Sequence, residues 1–321
     1  MKLTTYTLNE IGGRKNVEDT LYPKAFKHGD HRVFIVCDGV GGSNFGEVAS
    51  QIAAEVFYAA VAGKTIASKS DFDKLIKQAV VRFKDAVQDF IQQNPSAEGT
   101  STTFTMAVPT ENGTYIAWCG DSRIYQLKNG KIQYKTNDHS LVAELVSQGI
   151  ITEQQAETHP QRNVITKSLS QHTKQADIET AVIHPKAGDM LLMCTDGLLE
   201  HFNEREFESM FAKFDAQFDY AKAIDAICTN RTKDNYSMYL LHFDNLSNKR
   251  SGLLKAALIM LIAAVFFWLS GTGTKQGAED IDAIKVDSLS KEDDNTPLIN
   301  LGKTRKDSSA EKKASKPSLS K

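Results

Sequence analysis

Four aspartates stand at the ends of the most apolar stretches of the chain. Asp38 follows VFIVC and precedes Gly39, Asp121 follows YIAWCG, and Asp196 follows LLMCT and precedes Gly197. Asp234 comes just before NYSMYLLHF. One Asp-Gly pair is a common turn dipeptide. Four carboxylates at the ends of strands that share a core imply more, because sheet ends brought together collect them in one pocket. Like charges that close repel unless a cation neutralises them. Hard oxygen donors suit Mg²⁺ or Mn²⁺, which keep several waters. Two such ions about 3.5–4 Å apart can bridge one water and lower its pKa, giving a hydroxide able to attack phosphorus in line. Phosphoryl oxygens also need a cationic partner, for which the planar fork of arginine is suited. Arg14, a few residues before Glu18 and Asp19, is the candidate, although alone it would read as a surface loop charge. Gly39, Gly41 and Gly42 in DGVGG let the backbone approach a metal or take positive φ. The loop lacks the Gly-Lys-Ser/Thr ending of a P-loop, which excludes that reading.

The elements that must position these groups are legible from periodicity. HRVFIVC (31–37) reads as a strand buried on both faces, and 43–61 as a helix capped by Ser43 or Asn44. Between 71 and 91, Leu75, Ile76, Ala79, Val80, Phe83, Val87 and Phe90 recur at helical spacing, so this segment should cover a sheet. Strands follow at 101–108, 114–119 and 123–127, with a hairpin turn at Lys128-Asn129-Gly130-Lys131. A short helix at 140–148 ends at Gly149, and Thr152 with Gln155 forms a capping box that opens another. Strands at 176–183 and 189–194, helices near 204–213 (capped by Asn203 with Glu206) and 217–229, and a strand at 235–243 complete the domain. Strands joined by turns and helices in pairs argue for antiparallel sheets with helices packed outside, not for a doubly wound parallel sheet.

Composition narrows the function classes. The 321-residue chain carries a formal net charge of −2, so no global basic field points to nucleic acid. Its four cysteines, Cys37, Cys119, Cys194 and Cys228, form no CxxC pair and read as buried, reduced thiols of a cytosolic catalytic domain. The N-terminus has no apolar core of signal-peptide type. Residues 1–244 read as the catalytic domain and 245–252 as a basic juxtamembrane linker. Residues 253–274 read as a single transmembrane helix, although the charge-free run Ala256–Leu269 is shorter than the roughly 20 residues a bilayer needs. It spans if Leu253, Leu254 and the small residues to Thr274 join it and Lys255 snorkels, with Trp268 as interfacial anchor. Lys249, Arg250 and Lys255 precede the span, and Glu279, Asp280 and Asp282 follow it. That asymmetry places the catalytic domain in the cytoplasm and the tail, 275–321, on the other side. The tail's composition reads as disordered.

An ordered set of motifs resembles the metal-dependent protein phosphatases of the 2C type. It runs from RKNVED (14–19) through DGVGG (38–42), GTSTT (99–103), GDSR (120–123), DH (138–139) and GDMLLMCTDGL (188–198) to DN (234–235). The resemblance implies an α+β fold, an α–β–β–α sandwich with two metals at one end of the β layers. It implies that Asp38, Asp196 and Asp234 bind the first Mn²⁺ or Mg²⁺, and that Glu18, Asp38 and the Gly39 carbonyl hold the second. Asp121 would hold a third, weaker ion, and Asp19 would orient a water on the metals. Arg14 is implied as the phosphate-binding arginine, so Arg14 and Asp38 are the expected catalytic residues. Ser122 and Arg123 are expected to brace Asp121. Two departures stand out. Val17 replaces the usual Asn, removing a supporting hydrogen bond, and Val40 occupies the place of the His proposed as general acid in many relatives. His139 is expected to make a structural hydrogen bond, and the segment 149–175 is expected to form a flap where substrate choice lives.

The expected function is hydrolysis of phosphoserine and phosphothreonine in proteins, opposing a bacterial Ser/Thr kinase at the membrane. The alternative is a membrane-tethered pseudophosphatase that binds phosphoproteins or acts as a scaffold. The full carboxylate set argues against it, because an inactive module has no need to hold that repulsion together. A small-molecule phosphohydrolase on the same site would be separated from the first by its preference for nucleotides or sugar phosphates over phosphopeptides.

Overall fold

Both faces of the long apolar strands are covered, and the alternation of side chains along them sorts the core into three layers. The computed structural model describes residues 2–24, 32–40 and 45–244. In chain order the elements are β1 (Lys2–Glu10), β2 (Thr20–Tyr22), β3 (Phe34–Cys37), β4 (Gly39–Val40), α1 (Gly46–Val61), α2 (Lys69–Gln93), β5 (Ser101–Thr102), β6 (Phe104–Thr110), β7 (Gly113–Cys119), β8 (Arg123–Lys128) and β9 (Lys131–Lys135). They continue with α3 (Leu141–Ser147), α4 (Glu153–Glu157), β10 (Glu179–Ile183), β11 (Met190–Cys194), α5 (Asp196–Leu199), α6 (Glu204–Met210), α7 (Tyr220–Cys228) and β12 (Tyr236–Asp244). One five-stranded sheet has the order β1-β12-β11-β8-β9, the other β10-β7-β6-β3-β2, and β4 pairs with β5 alone. The named strand pairs are antiparallel, as expected.

Phe34, Val36, Ile116 and Trp118 of one sheet meet Leu191, Met193, Tyr239 and Leu241 of the other in the central layer. Their sequence neighbours Ile35, Cys37, Tyr115 and Ala117 face outward onto Phe57 of α1 and Phe72, Ile76 and Phe83 of α2. On the other side Leu192, Cys194, Met238 and Leu240 pack against Phe207, Tyr220 and Ile224 from the α6–α7 region. A strand buried on both faces needs apolar side chains at consecutive positions, which is why VFIVC and MLLMC carry no polar alternation. The resulting architecture is the α–β–β–α sandwich that the motifs implied. Fully burying one such Phe or Leu is worth about 1.5–3 kcal/mol.

Several boundaries differ from expectation. Helix α1 starts at Gly46 with Phe45 as its N-cap and no side-chain cap, not at Ser43 or Asn44. Its start is fixed by backbone packing, since Gly46 lies directly against Gly39. The strand expected over 101–108 divides at Thr103 into β5 and β6, because both Thr102 and Thr103 turn to the Asp38 carbonyl. Strand β1 was not anticipated. It pairs with β12 along its whole length at a sheet edge, and its polar composition hides a strand period. The capping boxes of α4 and α6 and the turn at Asn129 and Gly130, both with positive φ, follow the sequence expectation, while Ser140, expected within the helix, is instead the N-cap of α3. The four cysteines are free and buried.

The linker 245–252, the transmembrane span 253–274 and the tail 275–321 lie outside the described residues, as do Gly41, Gly42, Ser43 and Asn44. Among the described residues no helix is long and apolar enough to cross a membrane.

Candidate active site

Strand register brings the acidic residues together. Thr20 pairs with Cys37, so Asp19 and Asp38 leave adjacent strands at the same edge. Cys194 pairs with both Arg123 and Met238, so the segments carrying Asp121, Asp196 and Asp234 meet at the matching edge of the second sheet. Glu18, Asp19, Asp38, Asp121, Asp196 and Asp234, six acidic residues, therefore converge from five segments of the chain.

Their environment opposes simultaneous ionisation. Burial, followed by the charges of Asp19, Asp196, Asp121 and Asp234, pushes the Asp38 carboxyl well above the ordinary aspartate range. Burial raises Asp19 from 3.8 to about 7, against hydrogen bonds from Ser237 and Thr195 that lower it. Burial and the Asp196 and Asp138 charges raise Asp121 to about 8. Asp196 is raised by burial and by the Asp234 charge, and lies within hydrogen-bond reach of Asp38. Glu18 is raised by burial and by the Glu47 charge. One oxygen of each of Asp19, Asp121 and Asp196 is buried and takes no hydrogen bond from the protein.

Arg14 does not stand free. Its guanidinium ion-pairs with Asp234, while the arginine side chain stays 55% exposed. Arg14 thus supplies a positive charge to the cluster, and among the described residues no three His, Cys, Asp or Glu side chains are disposed to hold one ion as they stand. The donor chemistry nevertheless fits divalent cations. The orphaned oxygens are hard donors, and carboxylates raised this far release protons when a cation replaces them. A second fit lies beside α1. A methyl group added to Gly46 would sit 2.8 Å from Glu18 Oε2 and 3.0 Å from the Gly39 carbonyl oxygen. Glu18 and the Gly39 carbonyl therefore share one cradle, kept open by a glycine.

The supporting residues sit in the motifs, but their roles were not all foreseen. Thr103 Oγ1 accepts from the Asp38 amide at 2.9 Å, and Thr102 Oγ1 donates to the Asp38 carbonyl at 2.7 Å. Thr195 Oγ1 donates to Asp19 Oδ2 at 2.9 Å and accepts from the Ser237 amide at 3.0 Å. These threonines were missed as site residues; their place directly before or opposite a strand-end aspartate was the available signal. Ser122 and Arg123 do not brace Asp121 by hydrogen bonds. Ser122 Oγ pairs with Thr103 Oγ1 at 2.7 Å, and Arg123 forks onto Asp138 at 2.8 and 2.6 Å. A planar guanidinium prefers a bidentate carboxylate, and Asp138 offers one. His139 is structural, as expected: its Nδ1 accepts from the Gly120 amide and its Nε2 pairs with Glu179. The segment 149–175 is tied to the site, since Thr102 and Leu169 exchange two backbone hydrogen bonds of 2.9 and 2.8 Å.

Comparison with known proteins agrees with this geometry. The protein phosphatase 2C signature matches residues 13–226. The serine/threonine phosphatase stp of Listeria monocytogenes is 30% identical over 187 residues, covering 58% of this chain and 74% of that protein. The crystal structure of the Mycobacterium tuberculosis serine/threonine phosphatase PstP/Ppp superposes with a TM-score of 0.66 at 26% identity, covering 76% of this chain and all of that one. The PstP catalytic domain in complex with two manganese ions shares the fold at 24% identity, with a TM-score of 0.64 over 76% of this chain and 99% of that one.

Proposed function

Because the chain belongs to the protein phosphatase 2C family, we propose that it hydrolyses phosphoserine and phosphothreonine in proteins with two divalent cations, Mn²⁺ or Mg²⁺, bound at the carboxylate cluster. The observation that carries this reading is the convergence of six acidic residues, three with orphaned buried oxygens, at one end of the two sheets. Asp38, Asp196 and Asp234 would hold one ion, and Glu18, Asp38 and the Gly39 carbonyl the other. Asp121 would hold a third, weaker one. When bound, the ions supply Lewis acidity, lowering the pKa of water and neutralising phosphoryl charge.

The protein's own groups account for the remaining tasks. Arg14, half exposed and anchored to Asp234, can swing its fork onto two phosphoryl oxygens. Asp19 keeps one oxygen on Thr195 and leaves the other free to accept a hydrogen bond from the attacking water. Val40 carries no proton, and both ring nitrogens of His139 are engaged. Neither side chain is therefore the general acid, and a water at the site would protonate the seryl or threonyl leaving oxygen. Water and phosphomonoester are consumed, and alcohol and phosphate leave.

The proposal extends to location and partners. The apolar run at 253–274 would hold the enzyme on a membrane with its catalytic domain in the cytoplasm, opposing a Ser/Thr kinase there. The full chain should dephosphorylate a phosphothreonine peptide with Mn²⁺ or Mg²⁺ and stop in EDTA, and Asp38→Asn should be inactive with either metal. A folded wild-type chain silent with both metals would sink the catalytic reading in favour of a binding module. For the tether, the full chain should sediment with membranes and a chain ending at residue 250 should not. Equal behaviour of the two would remove that part of the proposal.

A further inference from the structure

Asn235 is 3% exposed and uses every hydrogen-bonding atom of its side chain. Its Oδ1 accepts from the Glu18 amide at 2.7 Å, and its Nδ2 donates to the Ile11 and Asn16 carbonyls at 2.8 and 2.9 Å. Its own amide donates to Asp234 Oδ1 at 2.8 Å. The three loop partners are backbone atoms, and they bracket Arg14 from both sides and end at Glu18. Residues 11–19 form no helix or strand, so no ladder of their own sets their shape. Their support comes from below. A methyl group on Gly12 would sit 1.8 Å from the Asp234 carbonyl oxygen, and one on Gly13 2.9 Å from that of Lys233, so this backbone rests directly on residues 233–234. Gly197 lies equally close to the Asn235 carbonyl, which joins the Asp196 segment to the same point.

We propose that Asn235 is the positioning residue that fixes the distance between the phosphate arm, Arg14, and the metal arm, Glu18, and registers both against Asp234. It touches neither phosphate nor metal itself. An amide is the side chain that can do this, since it offers one acceptor and two donors in a plane. Aspartate has the same shape but no donors, and alanine removes all three bonds to the loop backbone, leaving the Ile11 carbonyl only the Arg14 amide at 3.3 Å. The inference rests on the phosphatase reading, because it takes Arg14 and Glu18 as the working groups.

The test is a double-mutant cycle on the full chain, read by calorimetry rather than by turnover. Mn²⁺ alone is titrated first, then orthophosphate with Mn²⁺ present, for wild type, Asn235→Ala, Asn235→Asp, Arg14→Ala and the Arg14→Ala/Asn235→Ala pair. Asn235→Ala should weaken Mn²⁺ binding about 10–100-fold, the usual effect of losing a group that orients metal ligands. It should weaken orthophosphate as well, and removing Arg14 should cost less in its background than in wild type, because a misplaced arm contributes little. Asn235→Asp keeps the acceptor for Glu18 and the side-chain volume, and should lose orthophosphate affinity more than Mn²⁺ affinity. A wild type that binds no orthophosphate with Mn²⁺ would bring down the phosphatase reading and this inference together. If wild type binds both and folded Asn235 variants match it within about twofold, or Arg14→Ala costs the same in either background, only the inference falls. Failure of both Asn235 variants to fold would also overturn it, by making Asn235 a folding residue.

Discussion

At the residue scale, Gly46 shows how a position can trade helix stability against ligand geometry. It opens α1, where alanine would ordinarily favour the helix by up to about 1 kcal/mol. A methyl group there would enter the cradle between Glu18 Oε2 and the Gly39 carbonyl. Gly46→Ala should therefore still fold, with its gain in helix propensity set against close contacts of 3.0 and 3.1 Å to the Gly39 backbone, yet bind Mn²⁺ about 10–100-fold more weakly by calorimetry. Unchanged Mn²⁺ affinity would remove Glu18 and the Gly39 carbonyl from the ligand set. The aspartates themselves were legible because an acidic residue directly after a strand buried on both faces is chemically conspicuous. Gly46 was not, since an alanine-rich helix tolerates a glycine silently and only the approach of Gly39 gives it meaning. Arg14 was legible as a cation in the right motif, but its pairing with Asp234 was not. Sequence separates those residues by most of the domain, and the pairing of β1 with β12, which sets Glu10 opposite Tyr236, brings them together.

At the element scale, the parts that sequence reading recovered are those whose signals are local. The β8–β9 hairpin is one: Asn129 and Gly130 both take positive φ, as a two-residue turn between right-twisted strands requires. What the sequence does not disclose is that the tip docks on α6. A methyl group at Gly130 would lie 2.4 Å from the Glu208 carbonyl oxygen and 2.6 Å from Ala212 Cα. Gly130→Ala thus suffers twice, from the left-handed backbone and from the clash, and should lower stability by about 1–3 kcal/mol in denaturant unfolding. The hairpin lies away from the carboxylate cluster, so turnover by the folded fraction should be unchanged. A loss of turnover without a loss of stability would contradict that separation. The elements that were missed carry their information elsewhere. Strand β1 is polar and gains its definition from pairing with β12, and the break between β5 and β6 arises because Thr102 and Thr103 both bond the Asp38 carbonyl.

At the scale of the whole molecule, the sandwich concentrates acidic groups at one end of its core, and this sets how its stability should respond to protons and metal. Asp19 moves from the ordinary 3.8 to about 7 and Asp121 to about 8, chiefly through burial, and Asp38, Asp196 and Glu18 move in the same direction. An unfolded aspartate titrates near 4. Between that value and the raised folded ones, the folded state holds protons that the unfolded state has already released. Stability then falls as pH rises, the reverse of the behaviour of a salt-bridged carboxylate whose folded pKa is depressed. The full chain in EDTA should accordingly lose melting temperature steadily from about pH 5 to pH 8, by a free energy on the order of a few kcal/mol. Saturating Mn²⁺ should flatten or reverse that slope, because the cation supplies the charge that the protons supplied, and its binding should release protons. The gap between Mn²⁺ and EDTA melting curves would widen with pH, and the proton release would appear as a dependence of the binding heat on buffer ionisation enthalpy. Parallel curves at every pH would mean that the carboxylates do not share their charge with the metal. The end of the sandwich would then be a packed acidic surface and not a site whose cost in stability is repaid by the ion it binds.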